Sequence, residues 1–127
     1  YGFDDGLYSA ARLLEILAAS PEDPEEVFAQ LPKTVSTPEL KVEVPEGEQY
    51  RLVEEFVSKA KFDGARLSTI DGLRADWPDG WGLVRASNTT PNLVMRFDAK
   101  DSEALARVQA AFREQLLAVA PTLTLPF

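Results

Sequence analysis

The chain has 127 residues, 45% hydrophobic and 27% charged, the balance of a folded globular domain and not of a disordered segment. It holds no Cys and no His, which excludes disulfides, thiol nucleophiles, sulfur-based zinc sites and the commonest general base. A net charge of −8 argues against nucleic acid and anionic membrane surfaces as partners. No stretch reaches the roughly 18 uncharged apolar residues of a membrane span.

This length bounds the chain to one domain, or to a domain plus part of a neighbour. The opening "YGFDDGLYSA" has neither an initiator Met nor a basic n-region, so it reads as a cut and not as a signal peptide or natural beginning. Residues 4–19 predict a helix capped by Asp4 or Asp5. Leu7, Tyr8, Ala11, Leu14 and Leu17 recur at helical spacing, and Ala10, Leu13 and Ile16 widen the apolar arc beyond one face. The expectation is a remnant helix of a preceding domain over 1–19. Four prolines (Pro21, Pro24, Pro32, Pro38) then punctuate "SPEDPEEVFAQLPKTVSTPEL", which predicts a Pro-rich linker over 20–36 with a short helix from Pro24 to Gln30.

Residues 37–127 form a denser pattern. "ELKVEVP" alternates Leu40, Val42 and Val44 against Lys41 and Glu43, a half-buried strand. "EQYRLVEEFVSKA" places Val53, Phe56, Val57 and Ala60 on one helical face. Asp71-Gly72 lies between two strand-like runs, a hairpin signal. "GWGLVRA" and "NLVMRFDA" are two further strands. "DSEALARVQAAFREQLLAVAP" opens on Asp101 or Ser102 as cap, lines up Leu105, Val108, Phe112, Leu116 and Val119, and stops before Pro121. The order of strand, helix, four strands and helix predicts an α+β domain: a mostly antiparallel four- to five-stranded sheet with helices on one face.

Between the last two strands lies "RASNTTP". The window 80–97 contains Arg85 and Arg96 and no acid, where the chain's acid content (21 in 127) would place about three. Arg85 offers five donors in a planar fork suited to phosphate oxygens. Ser87, Thr89 and Thr90 add hydroxyls, Asn88 adds an amide, and the N–H groups of a tight loop converge on an anion as a nest. Pro91 fixes the chain's entry into the next strand, where proline is tolerated. Charge-assisted bonds of roughly 1.5–3 kcal/mol each would hold a phosphate at about millimolar strength. A solvated polar turn satisfies the same composition. Asp4-Asp5 and Asp71 read as caps and turns in preference to metal ligands. Trp77 and Trp81 read as packing at the sheet edge in preference to sugar-stacking platforms.

"RASNTTP", in the frame "DGLRADWPDGWGLVRASNTTPNLVMRF", resembles the phosphate-binding loop in the C-terminal domain of α-D-phosphohexomutases, in the bacterial phosphomannomutase/phosphoglucomutase branch. "GFDDGLYSAARLLEIL" is similar to the last helix of that family's third domain. The resemblance implies a β-α-β4-α fold like that of the TATA-box-binding protein. It also implies a cytoplasmic four-domain isomerase, with a phosphoserine and a magnesium ion. Such an enzyme moves a phosphoryl group between O1 and O6 of glucose or mannose through a bisphosphorylated sugar. Carried onto this chain, Arg85, Ser87, Asn88 and Thr89 would contact the substrate phosphate, and Thr90 and Pro91 would shape the loop. The partners implied are a glucose or mannose 1- or 6-phosphate and the N-terminal domains of the same chain. The family's serine loop, Asp-Gly-Asp metal loop and Glu-Ser-Gly-His sugar loop have no counterpart in these 127 residues. The expectation is therefore no catalytic residue, no metal site and no mutase activity for this stretch by itself. The alternative is a non-catalytic α+β ligand-binding or protein-interaction module.

Overall fold

The computed structural model describes residues 4–127; Tyr1, Gly2 and Phe3, and with them the start of the family-like helix motif, lie outside the described residues. Two compact units divide between Lys33 and Thr34.

The first unit holds two helices, α1 (Gly6–Ala19) and α2 (Pro24–Ala29). Asp5 is the cap of α1: its Oδ1 accepts the Tyr8 N–H at 2.9 Å, relieving one of the helix's unpaired first-turn donors. Proline opens α2, where its missing N–H costs nothing, and the Glu26 side chain accepts the Asp23 N–H at 3.1 Å. Neither helix buries a residue.

The second unit is a six-stranded, fully antiparallel sheet with two helices on one face. Its elements are β1 (Val35–Ser36), β2 (Leu40–Glu43), α3 (Glu48–Lys59), β3 (Arg66–Ser68), β4 (Leu73–Trp77), β5 (Gly80–Ala86), β6 (Asn92–Ala99) and α4 (Ser102–Val119). The strand order is β1-β6-β5-β4-β3, with β2 also pairing β6. The sheet thus has one strand more than the upper end of the four to five expected. The extra strand is β1, drawn from the segment read as connector. Two residues are too few to show a period-2 pattern, so only pairing with Asp98 and Ala99 reveals them. Between β1 and β2 sits Pro38, which has no N–H for the ladder. Thr37 bridges the gap: its N–H donates to Phe97 O at 2.9 Å and its Oγ1 accepts the Phe97 N–H at 3.1 Å.

Alternation along the strands sorts the two faces. Val42, Leu73, Ala75, Val84, Leu93, Met95 and Phe97 turn toward the helices and are buried. Val53 and Phe56 of α3, and Ala104, Val108, Phe112 and Leu116 of α4, meet them at helical spacing. Phe112 is the centre of this core, with ring centroids 4.5 Å from Phe62, 5.4 Å from Phe97 and 6.1 Å from Phe56. Trp77 packs edge-on against Phe62 and donates its indole N–H to Asp63 O at 3.0 Å, a packing role at the sheet edge. Asp101 caps α4, accepting the Ala104 N–H at 2.8 Å.

The opposite face carries the charges. Lys41, Val94, Arg85, Leu83, Arg74 and Arg66 lie on it by register. Asp71-Gly72 closes the β3–β4 hairpin, with Gly72 at φ +72°.

Candidate functional site

Strands β5 and β6 pair over seven residues, from Gly80 opposite Ala99 to Ala86 opposite Leu93, and the loop Ser87–Pro91 joins them. The Ser87 N–H donates to Asn92 O at 2.9 Å and closes the loop's neck. Pro91, just ahead of β6, has its carbonyl accept the Val44 N–H at 3.0 Å, so the loop's far side is tied to the end of β2.

Inside the loop everything turns on one hydroxyl. Ser87 is 8% exposed, and its Oγ sits 3.0 Å from Thr90 Oγ1 and 3.5 Å from Thr89 Oγ1. The Thr89 and Thr90 N–H groups aim at that same oxygen from 3.4 and 3.3 Å, longer than the usual 2.9–3.0 Å for such bonds. Two amides and two hydroxyls therefore converge on a single oxygen and hold it loosely. Asn92 Nδ2 donates to Thr90 Oγ1 at 2.9 Å and fixes that side chain. Asn88, Thr89, Thr90 and Pro91 are exposed at the tip. Ser87 is thus an internal organiser of the loop as well as a donor, whereas Asn88 makes no side-chain hydrogen bond among the described residues.

Arg85 lies on the face away from the helices, one residue before the last pair of β5. Val94 stands directly opposite it, and Arg96 and Arg74 are its diagonal neighbours across β6 and β4. Of these cations Arg74 is committed: it stacks 3.9 Å over the Trp81 ring and donates to both Asp76 oxygens at 2.7–3.1 Å. These hydrogen bonds hold the Asp76 carboxyl below its ordinary range. Arg85 has no such fork. Among the described residues its one carboxylate within ion-pair reach is Asp71, at 3.9 Å, beyond hydrogen-bond distance. The Asp71 side chain is 67% exposed and that of Arg85 31%.

Asp71 is the feature that sequence reading missed. Asp-Gly announces a turn, but only the β4–β5 register brings that turn beside Arg85. Gly72 makes the closeness possible, since a Cβ there would run into the Val84 carbonyl oxygen and lie 2.7 Å from Arg85 Cα.

On the helix side the loop walls a concavity of about 270 Å³ with Glu46, Gly47, Gln49 and Tyr50. Gln49 is 5% exposed and its Oε1 has no hydrogen-bond partner among the described residues. Arg85 does not line this space. Among the described residues no group of three or more His, Cys, Asp or Glu side chains is placed to hold a metal ion. No helix among them is long and apolar enough to cross a membrane.

Residues 39–115 match the family described as phosphoglucomutase/phosphomannomutase, C-terminal domain. Over all 127 residues the chain is 50% identical to the phosphomannomutase/phosphoglucomutase of Pseudomonas syringae pv. tomato, covering 27% of that protein. Over 115 residues, 89% of the chain, it is 55% identical to the phosphoglucomutase of Neisseria meningitidis serogroup B, covering 25% of it. The fold superimposes with a TM-score of 0.83 on the crystal structure of a phosphoglucomutase/phosphomannomutase family protein from Burkholderia thailandensis. That protein shares 52% identity, and the match takes in the whole of this chain and 26% of that one. The chain spans about a quarter of the length of these relatives.

Proposed function

The chain belongs to the family of phosphoglucomutase/phosphomannomutase C-terminal domains, and on that premise we propose that its loop Arg85–Pro91 grips the phosphate of a hexose phosphate. Arg85 supplies the charged fork. The Thr89 and Thr90 amides, with the Ser87 and Thr89 hydroxyls and the Asn88 amide, supply the converging donors. Thr90 and Pro91 hold the loop's shape. The site reads an anion and leaves the sugar unread, which suits a ligand presented through either of two phosphates.

The whole protein would then interconvert hexose 1- and 6-phosphates of glucose or mannose in the cytoplasm, by way of a bisphosphorylated sugar. Its phosphoserine and magnesium ion would belong to domains outside these 127 residues. The side chains here do not fit the metal, since they form no cluster of three candidate ligands among the described residues. The contribution of this domain is binding and orientation.

One observation carries the reading. An arginine that, among the described residues, has no hydrogen-bonded carboxylate stands on the strand that leads into a loop whose amides and hydroxyls converge on the Ser87 Oγ. In a chain of net charge −8 a cation beside such a loop supplies a local attraction for an anion against the average field. Amide-shift titration with glucose 1-phosphate, glucose 6-phosphate and inorganic phosphate tests it. All three are expected to move residues 85–91 with dissociation constants of about a millimolar. Arg85→Ala is expected to abolish those shifts while changing the unfolding free energy by no more than about 0.5 kcal/mol. Unaltered shifts in Arg85→Ala would refute the assignment and favour an interaction module.

A further inference from the structure

We infer that Asp71 is a resident counter-ion for Arg85, a carboxylate that competes with the incoming phosphate and sets how tightly the loop holds it. The inference rests on the phosphate-site reading above and goes beyond it by adding a residue of opposite charge to the site.

The geometry has three parts. First, the separation of 3.9 Å between Arg85 Nη1 and Asp71 Oδ2 is within Coulombic reach but outside hydrogen-bond range. The carboxylate stabilises the guanidinium without locking its donors, which stay available to a better acceptor. Second, the two partners differ in solvation: Asp71 is 67% exposed and Arg85 31%. The carboxylate is already largely hydrated and loses little by turning away, whereas the guanidinium is the more desolvated partner and gains more from an anion beside it. Third, the turn sits close beside Arg85: Leu73 pairs with Val84, and a Cβ on Gly72, at φ +72°, would lie 2.1 Å from the Val84 carbonyl oxygen and 2.7 Å from Arg85 Cα.

The other charges nearby do not take over this part. Asp76 is engaged by Arg74, Asp98 accepts from Thr34 Oγ1 at 2.9 Å and lies opposite Trp81, and Glu43 stands opposite Asn92 at the β2 edge. Arg96, diagonal to Arg85, adds positive potential, and Asp71 is the acid within reach among the described residues. Ligand entry is then an exchange. Phosphate oxygens accept from the Arg85 fork and the loop amides as the Asp71 carboxylate turns out to solvent, and release runs in reverse. A clamp that must let go in every turnover gains from holding its own competitor.

The test is a titration of inorganic phosphate and of glucose 1-phosphate into this chain and its Asp71→Asn, Asp71→Glu and Arg85→Ala variants, followed by the amide shifts of residues 85–91. At about 10 mM salt, where the Debye length is about 30 Å, Asp71→Asn is expected to tighten both ligands about three-fold. That gain should vanish near 1 M salt, and Asp71→Glu should bind like the parent. Affinity equal to or weaker than the parent's in Asp71→Asn, with the parent binding normally, would overturn the inference and leave the phosphate loop standing. Absence of any shift in both the parent and Asp71→Asn would overturn the loop assignment itself, and with it the inference. Equal gains in Asp71→Asn and Asp71→Glu would show that side-chain shape and not charge controls affinity, which also overturns it.

Discussion

Replacing Gly72 with alanine tests the link between the fold and the site, because Gly64 supplies a built-in control. Both glycines have φ +72°, a left-handed conformation in which a Cβ costs about 1–2 kcal/mol. At Gly64 a Cβ would meet nothing within 4 Å, so Gly64→Ala carries that conformational cost alone. At Gly72 the same atom would enter the Val84 carbonyl oxygen and lie 2.7 and 2.8 Å from Arg85 Cα and Cβ. Those are backbone and near-backbone atoms in a paired strand, which no rotamer change relieves. Overpacking of this kind costs about 1–3 kcal/mol, so Gly72→Ala should lose about 2–5 kcal/mol in all. Urea unfolding at constant m-value measures both variants, and the difference between them isolates the collision. Because relief of the clash displaces Arg85, Gly72→Ala should also weaken phosphate binding, while Gly64→Ala should not. Equal destabilisation of the two variants, with unchanged phosphate affinity in both, would refute the claim that this glycine seats the turn against Arg85.

Two further outcomes are expected of the sheet and its core. Phe112→Ala removes the ring around which Phe56, Phe62 and Phe97 pack and should cost about 3–5 kcal/mol by denaturant midpoint; a loss under about 1 kcal/mol would contradict its central place. Asp76 has its carboxyl held below the ordinary range by the hydrogen bonds from Arg74, so its contribution is present above the unfolded-state value of about 3.9 and disappears as pH falls through the lower folded-state value. With both partners partly exposed the contribution is about 0.2–1 kcal/mol, and Asp76→Asn should flatten the acid limb of a stability-versus-pH curve below about pH 4 by that amount; an unchanged limb would show that the pair contributes nothing.

Much of this molecule is written locally. The apolar stripe of α4, the alternation of β2 and the Asp-Gly turn are short-range patterns, because burial on one face imposes a period of 3.6 on a helix and 2 on a strand. Asp5 and Asp101 were readable as caps for a similar reason, since the donors they satisfy lie three residues away. The loop's donors were legible as well, being consecutive in the chain from Arg85 to Thr90. Composition alone put aside cysteine and histidine chemistry.

Tertiary structure decided what depends on residues far apart in the chain. Strand β1 exists only because β6 offers it an edge 64 residues away, at Ala99 opposite Val35. Ser87 became an organiser once the loop closed around its hydroxyl. Asp71 became a neighbour of Arg85 through the pairing of β4 with β5, and no pattern of residues near either one announces it. Sequence can specify which groups bear donors and charge, since that is covalent chemistry; which carboxylate faces which guanidinium is set by strand register, a property of the assembled sheet.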